Sequence, residues 1–173
     1  MSPVDGERMA TPDDPNEILS SDGRQSARAS HIARGVGRLL ASLGLANVCE
    51  LTLPNGRRAD VMGLSDKGDL WIIEVKSSIE DFRCDQKWPD YWQCCDRLFF
   101  AVAPDFPQEI LPLEAGIIVA DRYGGEIVRT PAEARLPPHR RRAITLRFAM
   151  VAAARTQAIN DPGLGLDLIL RGD

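Results

Sequence analysis

The sequence predicts an α/β fold, a single domain with a mixed β-sheet flanked by helices. Three observations predict it. An apolar repeat at helical spacing comes first, three short strand-like runs joined by tight turns follow, and a helix-forming stretch then separates the third run from a fourth. The tight turns favour an antiparallel three-strand meander. The intervening helix supplies a crossover, so the fourth strand is expected to run parallel to the third.

Each element has its own signal. Residues 1–24 are rich in Pro, Asp, Ser and Gly and carry no hydrophobic period, which reads as a flexible arm. From Ser26 the pattern changes: Ile32, Val36, Leu39, Leu40 and Leu43 line one side of a helix, and Gly44 marks its end. Val48–Leu53, Arg58–Leu64 and Leu70–Lys76 are rich in β-branched or apolar residues, with Pro54-Asn55-Gly56 and Asp66–Asp69 as the turns between them. A polar stretch, Ser77–Cys84, leads to a helix expected around Gln86–Asp96. Pro89 must then sit in its first turn, which moves its start toward Trp88.

Leu98–Ala103 and Ile117–Ala120 read as buried strands, and Gly124-Gly125 turns the second into a partner at Glu126–Val128. Thr130-Pro131 has the pattern of a helix cap followed by a first helical residue. A longer helix is expected over Arg140–Ala158, burying Ile144, Phe148, Val151 and Ala152. The domain therefore spans residues 25–160. A tail at 161–173 follows, in which Leu164–Leu170 is apolar enough to dock.

The chain has 173 residues, 44% hydrophobic and 27% charged, the composition of an ordinary globular domain. Its longest apolar runs are far too short to span a bilayer. Met1–Ser30 is polar where a secretory leader needs an apolar core, so the expectation is a cytoplasmic protein without membrane partners. Cys49, Cys84, Cys94 and Cys95 lack metal-ligand spacing and are expected to be buried free thiols. A net charge of −4 gives no general attraction to nucleic acid, so DNA binding would need a local basic patch.

One constellation carries chemistry. Glu74 and Lys76 share a face of their strand, about 6–7 Å apart, while Trp71, Ile73 and Val75 face the other way as core. Charges ending a buried strand are costly unless paired or bound to an ion. Asp60 lies on the preceding strand, about 4.8 Å to the side. Two carboxylates so placed repel, and a hard divalent cation, Mg²⁺ or Mn²⁺, removes the penalty. The carbonyl of Val75 is a further candidate ligand, and Lys76 a candidate to orient an attacking water. The plainer alternative is a Glu74–Lys76 ion pair at a strand rim.

Basic and polar residues surround this core. Gln86, Lys87 and Tyr91 either contact the DNA backbone or belong to a helix whose aromatics are core. Arg140, Arg141 and Arg142 either form a solvated face, as charge runs usually do, or contact phosphate. They fall near a helix N-terminus, where the dipole disfavours cations, and that adds weight to phosphate contact. Arg57 and Arg58 either reach phosphate or pair with Asp69. His31 and His139 are isolated.

Asp60 followed after thirteen residues by Glu74-Val75-Lys76 resembles the D…(D/E)-x-K signature of the PD-(D/E)XK nuclease superfamily. More narrowly, Arg58-Ala59-Asp60-Val61, Ile73-Glu74-Val75-Lys76-Ser77 and Asp85–Tyr91 are similar to the MmcB family of bacterial DNA repair proteins. The resemblance covers about residues 26–155. It implies a restriction-endonuclease-like core, nuclease-like processing of damaged DNA linked to mitomycin C resistance, and DNA and other repair proteins as partners. It also implies that Asp60 and Glu74 are metal ligands, that Lys76 is the catalytic lysine, and that Gln86 lies close to the site. One departure stands out: many superfamily members add an acid from the first helix, and Arg28–Leu43 has none. Glu50 and Glu80 are the candidate substitutes, which leaves one or two metals open. The alternative function is a DNA-binding repair factor that keeps the fold and does not cut.

Overall fold

The computed structural model describes residues 15–163. Its elements are α1 (Pro15–Ser42), β1 (Ala46–Thr52), β2 (Arg58–Leu64), β3 (Leu70–Lys76), α2 (Ile79–Cys84), a 3₁₀ turn (Trp88–Gln93), β4 (Arg97–Val102), β5 (Gly116–Ala120), β6 (Gly125–Arg129) and α3 (Pro138–Asn160). The strands form one sheet in chain order. β1, β2 and β3 are antiparallel, β3, β4 and β5 are parallel, and β6 returns antiparallel to β5. The expected mixed α/β fold is the one observed, with β2 and β3 at the limits read from sequence.

Side-chain alternation along β3 divides the molecule into layers. Ile73 and Val75 face α1, where they pack with Ile32, Val36, Leu40, Val61, Phe99 and Ile118. Leu70 and Ile72 face the other way and pack with Met62, Leu98, Tyr91 and the α3 residues Ile144, Phe148 and Val151. The inner positions of α3 include Ala154, while Ala152 is only half-buried. Gly35 lets α1 lie close to the β5–β6 turn: a Cβ there would stand 1.9 Å from the carbonyl oxygen of Asp121 and 2.4 Å from that of Gly124.

α1 begins at Pro15, so Pro15–Arg24, read from sequence as part of the arm, is helical. Proline suits a helix start because its missing N–H has no partner to lose there. Residues 1–14 and most of the tail, 164–173, lie outside the described residues. α1 stops as expected at Gly44. Its left-handed φ of +77° lets the Gly44 and Leu45 N–H groups close back on the carbonyls of Ala41 and Leu40.

Two helical expectations are corrected. The helix expected around Gln86–Asp96 is instead a 3₁₀ turn over Trp88–Gln93, and α2 lies before it, within the stretch Ser77–Cys84 read from sequence as polar. Ser78 caps α2 by accepting from the Asp81 N–H, and extended backbone at Asp85 ends it. Pro89 then permits only tight 3₁₀ winding after Trp88. Thr130-Pro131 caps no helix. Pro131 is buried near Gly116, and the chain continues as an extended strap to α3. That strap is pinned by the buried Asp96: its carbonyl accepts the Ala134 N–H, and its carboxylate accepts the Leu136 and Leu70 N–H groups. The four cysteines are free, but only Cys94 and Cys95 are buried, whereas Cys49 and Cys84 are exposed. Among the described residues no helix is long and apolar enough to cross a membrane.

Candidate functional site

The site lies where β2 and β3 part. Their ladder ends at Val61 opposite Ile73. The next pair, Asp60 and Glu74, is joined through side chains: the Val75 N–H donates to Asp60 Oδ2 at 2.8 Å, and the Asp60 N–H donates to Glu74 Oε1 at 3.3 Å. Each carboxylate therefore accepts a backbone N–H of the opposite strand. The sequence favours this splay. In β1 and β2 the residues packed with α3 fall three apart, Val48 and Leu51, Ala59 and Met62, so neither strand keeps strict alternation through this point. Glu50, opposite Asp60, takes the left-handed φ of +52° that such a break requires.

Glu74 and Lys76 continue the Leu70–Ile72 face of β3 and are 3% and 5% exposed. Lys76 Nζ donates to Asp85 Oδ2 at 2.6 Å. Asp85 follows α2, and it also accepts the Lys87 N–H. Asp81 accepts from the Ser77 N–H and hydroxyl, fixing the chain as it leaves β3. The Tyr91 hydroxyl donates to the carbonyl of Arg58 at 2.9 Å and tethers the start of β2. These groups border a cleft of about 750 Å³ that takes in Asp60, Glu74, Val75, Lys76, Asp81 and Tyr91.

The electrostatics follow from burial. Glu74 is pushed up to about 8, first by desolvation and then by the charge of Asp60. Asp60 is also raised, chiefly by desolvation, despite the Val75 N–H and Lys76. Desolvation opposes the Lys76 ammonium, but the hydrogen bond and charge of Asp85, with Glu74, outweigh it and hold the amine above its ordinary value. Asp85 moves down: its bond to Lys76 and the Lys87 N–H outweigh its burial. The Tyr91 phenol is held well above its usual range by burial and by the neighbouring Glu74 and Asp60. Without a cation, the two carboxylates thus hold their charge at a cost. A dication between them would offset it, and their oxygens are the donor type that hard cations take. The N–H and C=O of one strand residue face the same strand edge, so the Val75 carbonyl lies toward Asp60, as its N–H does. Among the described residues, no group of three or more His, Cys, Asp or Glu side chains is placed to hold a metal.

Asp60, Glu74, Val75 and Lys76 thus meet as expected, and Tyr91 and Arg58 border the same cleft. The other residues singled out do not join them. Gln86 is exposed and donates to the Arg83 carbonyl, while Lys87 is exposed outside the cleft. Arg57 pairs with Asp90 through Nε and Nη2, and Arg58 with Glu50; neither takes Asp69. Arg141 grips the buried Asp96 with two nitrogens, at 2.7 and 2.6 Å, so it is committed to that carboxylate rather than to a basic patch. Arg140 borders a separate hollow with His139, and Arg142 is exposed. Of the candidate substitutes for a helix-one acid, Glu50 reaches the cleft and Glu80 does not. Sequence patterning points to neither Asp85 nor Arg34. Asp85 lies in irregular chain that no periodicity flags, and Arg34 reads simply as the polar side of α1.

The comparisons bear on the fold and the family. The family described as DNA repair protein MmcB-like matches residues 16–163. A solved protein of unknown function from Silicibacter pomeroyi is 47% identical, with a TM-score of 0.78, over 80% of this chain and 95% of that one. The search of curated proteins gives no match. With the family matched across nearly the whole described domain, the chain belongs to the MmcB-like family of DNA repair proteins.

Proposed function

We propose that this DNA repair protein is a metal-dependent nuclease that hydrolyses DNA phosphodiester bonds in the Asp60–Glu74–Lys76 cleft. The reciprocal exchange between Asp60 and Glu74 carries the reading: it holds two carboxylates at one point of a splayed strand pair with a lysine beside them. Asp60, Glu74 and the Val75 carbonyl would hold Mg²⁺ or Mn²⁺, with water and substrate phosphate completing the shell, as is usual for Mg²⁺. Such an ion, when bound, polarises a phosphoryl oxygen and acidifies its water.

The chain's own groups do the remainder. Lys76 keeps its proton, and Asp85 takes only one of its three N–H donors. Two donors remain to position a phosphate oxygen and the attacking water. Asp85 fixes the ammonium, and Tyr91 fixes the strand that carries Asp60. The test is incubation of single-stranded, duplex and branched DNA with Mg²⁺ or Mn²⁺, comparing wild type with Asp60→Ala and Lys76→Ala. Cutting by wild type and a loss of about 10²-fold or more in each variant is expected. Equal cutting by all three proteins would sink the assignment.

A second reading, a repair factor that binds DNA without cutting, is favoured by the lack of a third acid placed for a metal among the described residues. Retained DNA binding with no cutting under either cation would select it.

A further inference from the structure

Among the described residues, the α1 wall of the cleft is lined by Ala29, Ser30, Ala33 and Gly37, with Arg34 as its only long side chain. These positions recur at the spacing of one helix face. Among the described residues three cations border the cleft, and two are engaged: Lys76 with Asp85 and Arg58 with Glu50. Arg34 makes no ion pair among the described residues. It stands on the same cleft as Asp60 and Glu74, which would repel an approaching phosphate. A diester must therefore find its positive partner there.

We propose that Arg34 binds a backbone phosphate of an unpaired DNA strand lying in this cleft. The inference rests on reading the cleft as a DNA-processing site, and it adds the phosphate anchor and the class of substrate. Unpaired strand follows from the recess and the charge. Glu74 and Lys76 are almost fully buried at the floor, and about 750 Å³ is the scale of a pocket that encloses a small ligand. A flexible strand can bend one or two nucleotides into it. A stiff duplex docks instead on a broad, strongly basic surface. Among the described residues the acids Glu50, Asp60, Glu74 and Asp81 outnumber the bordering cations, and Arg141 is spent on Asp96.

The test is fluorescence anisotropy of a labelled single-stranded oligonucleotide and of its duplex, over a salt series in EDTA, which removes cation-dependent cutting. Wild type should bind the single strand about tenfold more tightly than the duplex. Arg34→Gln should weaken single-strand binding about tenfold and reduce the slope of log affinity against log salt by about 0.7, the amount one neutralised phosphate contributes on a single strand. Arg34→Lys should keep the slope. Unchanged affinity and slope in Arg34→Gln, duplex binding as tight as single-strand binding, or no measurable binding by wild type would each overturn the proposal. The two readings fail separately: an Arg34 effect on binding without Mg²⁺-dependent cutting removes the nuclease alone, and cutting by wild type with binding that Arg34→Gln leaves unchanged removes the anchor alone.

Discussion

Glu74 makes the folded protein hold a proton that the unfolded chain gives up. Its ordinary value is 4.5 and its value in the fold is about 8, with Asp60 shifted in the same direction. Between those limits the native state binds more protons, so stability falls as pH rises through the window, at up to about 1.4 kcal/mol per pH unit. Asp85 and Asp96 are held low, so their contributions are lost only as pH falls through the carboxylate range. In EDTA, the urea midpoint of wild type should therefore drop between about pH 4.5 and 8, and Glu74→Gln should flatten that drop. Parallel pH profiles for the two proteins would show that burial does not protonate Glu74. The sequence showed Glu74, Lys76 and Asp60 because strand parity and an apolar context are local signals. It did not show Asp85, because nothing in the spacing of a carboxylate within irregular chain says which lysine it will meet.

Elements follow their local signals where those are strong and fail where the third dimension decides. β2 and β3 were legible to the residue, since apolar content and turn chemistry bound them on both sides. α2 had a readable start in Ser78-Ile79-Glu80-Asp81, a capping pattern that the polar content of the stretch obscured. Thr130-Pro131 misled because a cap pattern is also compatible with extended chain, and the burial of Pro131 near Gly116 selects the latter. α1 offers a test of packing between elements. At Gly35 a methyl group would collide with two backbone carbonyls of the β5–β6 turn, which cannot rotate away as a side chain can. Gly35→Ala should cost about 1–3 kcal/mol as overpacking. At Gly37 the nearest atom to an added methyl is Asn47 Oδ1, at an ordinary 3.5 Å. Gly37→Ala should therefore be neutral or stabilising by about 0.5–1 kcal/mol through helix propensity. Chemical denaturation of both variants checks the pair, and equal losses would show that α1 does not make its close approach at Gly35.

At the scale of the whole molecule, one buried carboxylate ties the sheet to the helix that covers it. Asp96 is 2% exposed and stands just before β4. Its N–H donates to the Leu70 carbonyl, and its carboxylate accepts the Leu70 and Leu136 N–H groups and both Arg141 nitrogens. It thereby joins β3, β4, the strap and α3, and it sets where Ile144, Phe148 and Val151 meet the sheet. The sequence shows the Arg140–Arg142 run but gives no sign that its middle member turns inward. Removing only the cation leaves a buried charge with amide donors alone, so Arg141→Met should destabilise by about 3–5 kcal/mol. If that loss comes from the stranded charge, neutralising its partner should recover part of it: Asn removes the charge and keeps an acceptor facing one of the Leu70 and Leu136 N–H groups, which bond to different carboxylate oxygens. The double variant Asp96→Asn/Arg141→Met should then be more stable than Arg141→Met alone, with a coupling energy of at least about 0.5 kcal/mol between the two sites. Urea denaturation of the wild type, both single variants and the double variant measures that coupling. Strictly additive losses would mean that α3 is held by its apolar face alone and that the ion pair is incidental to the fold.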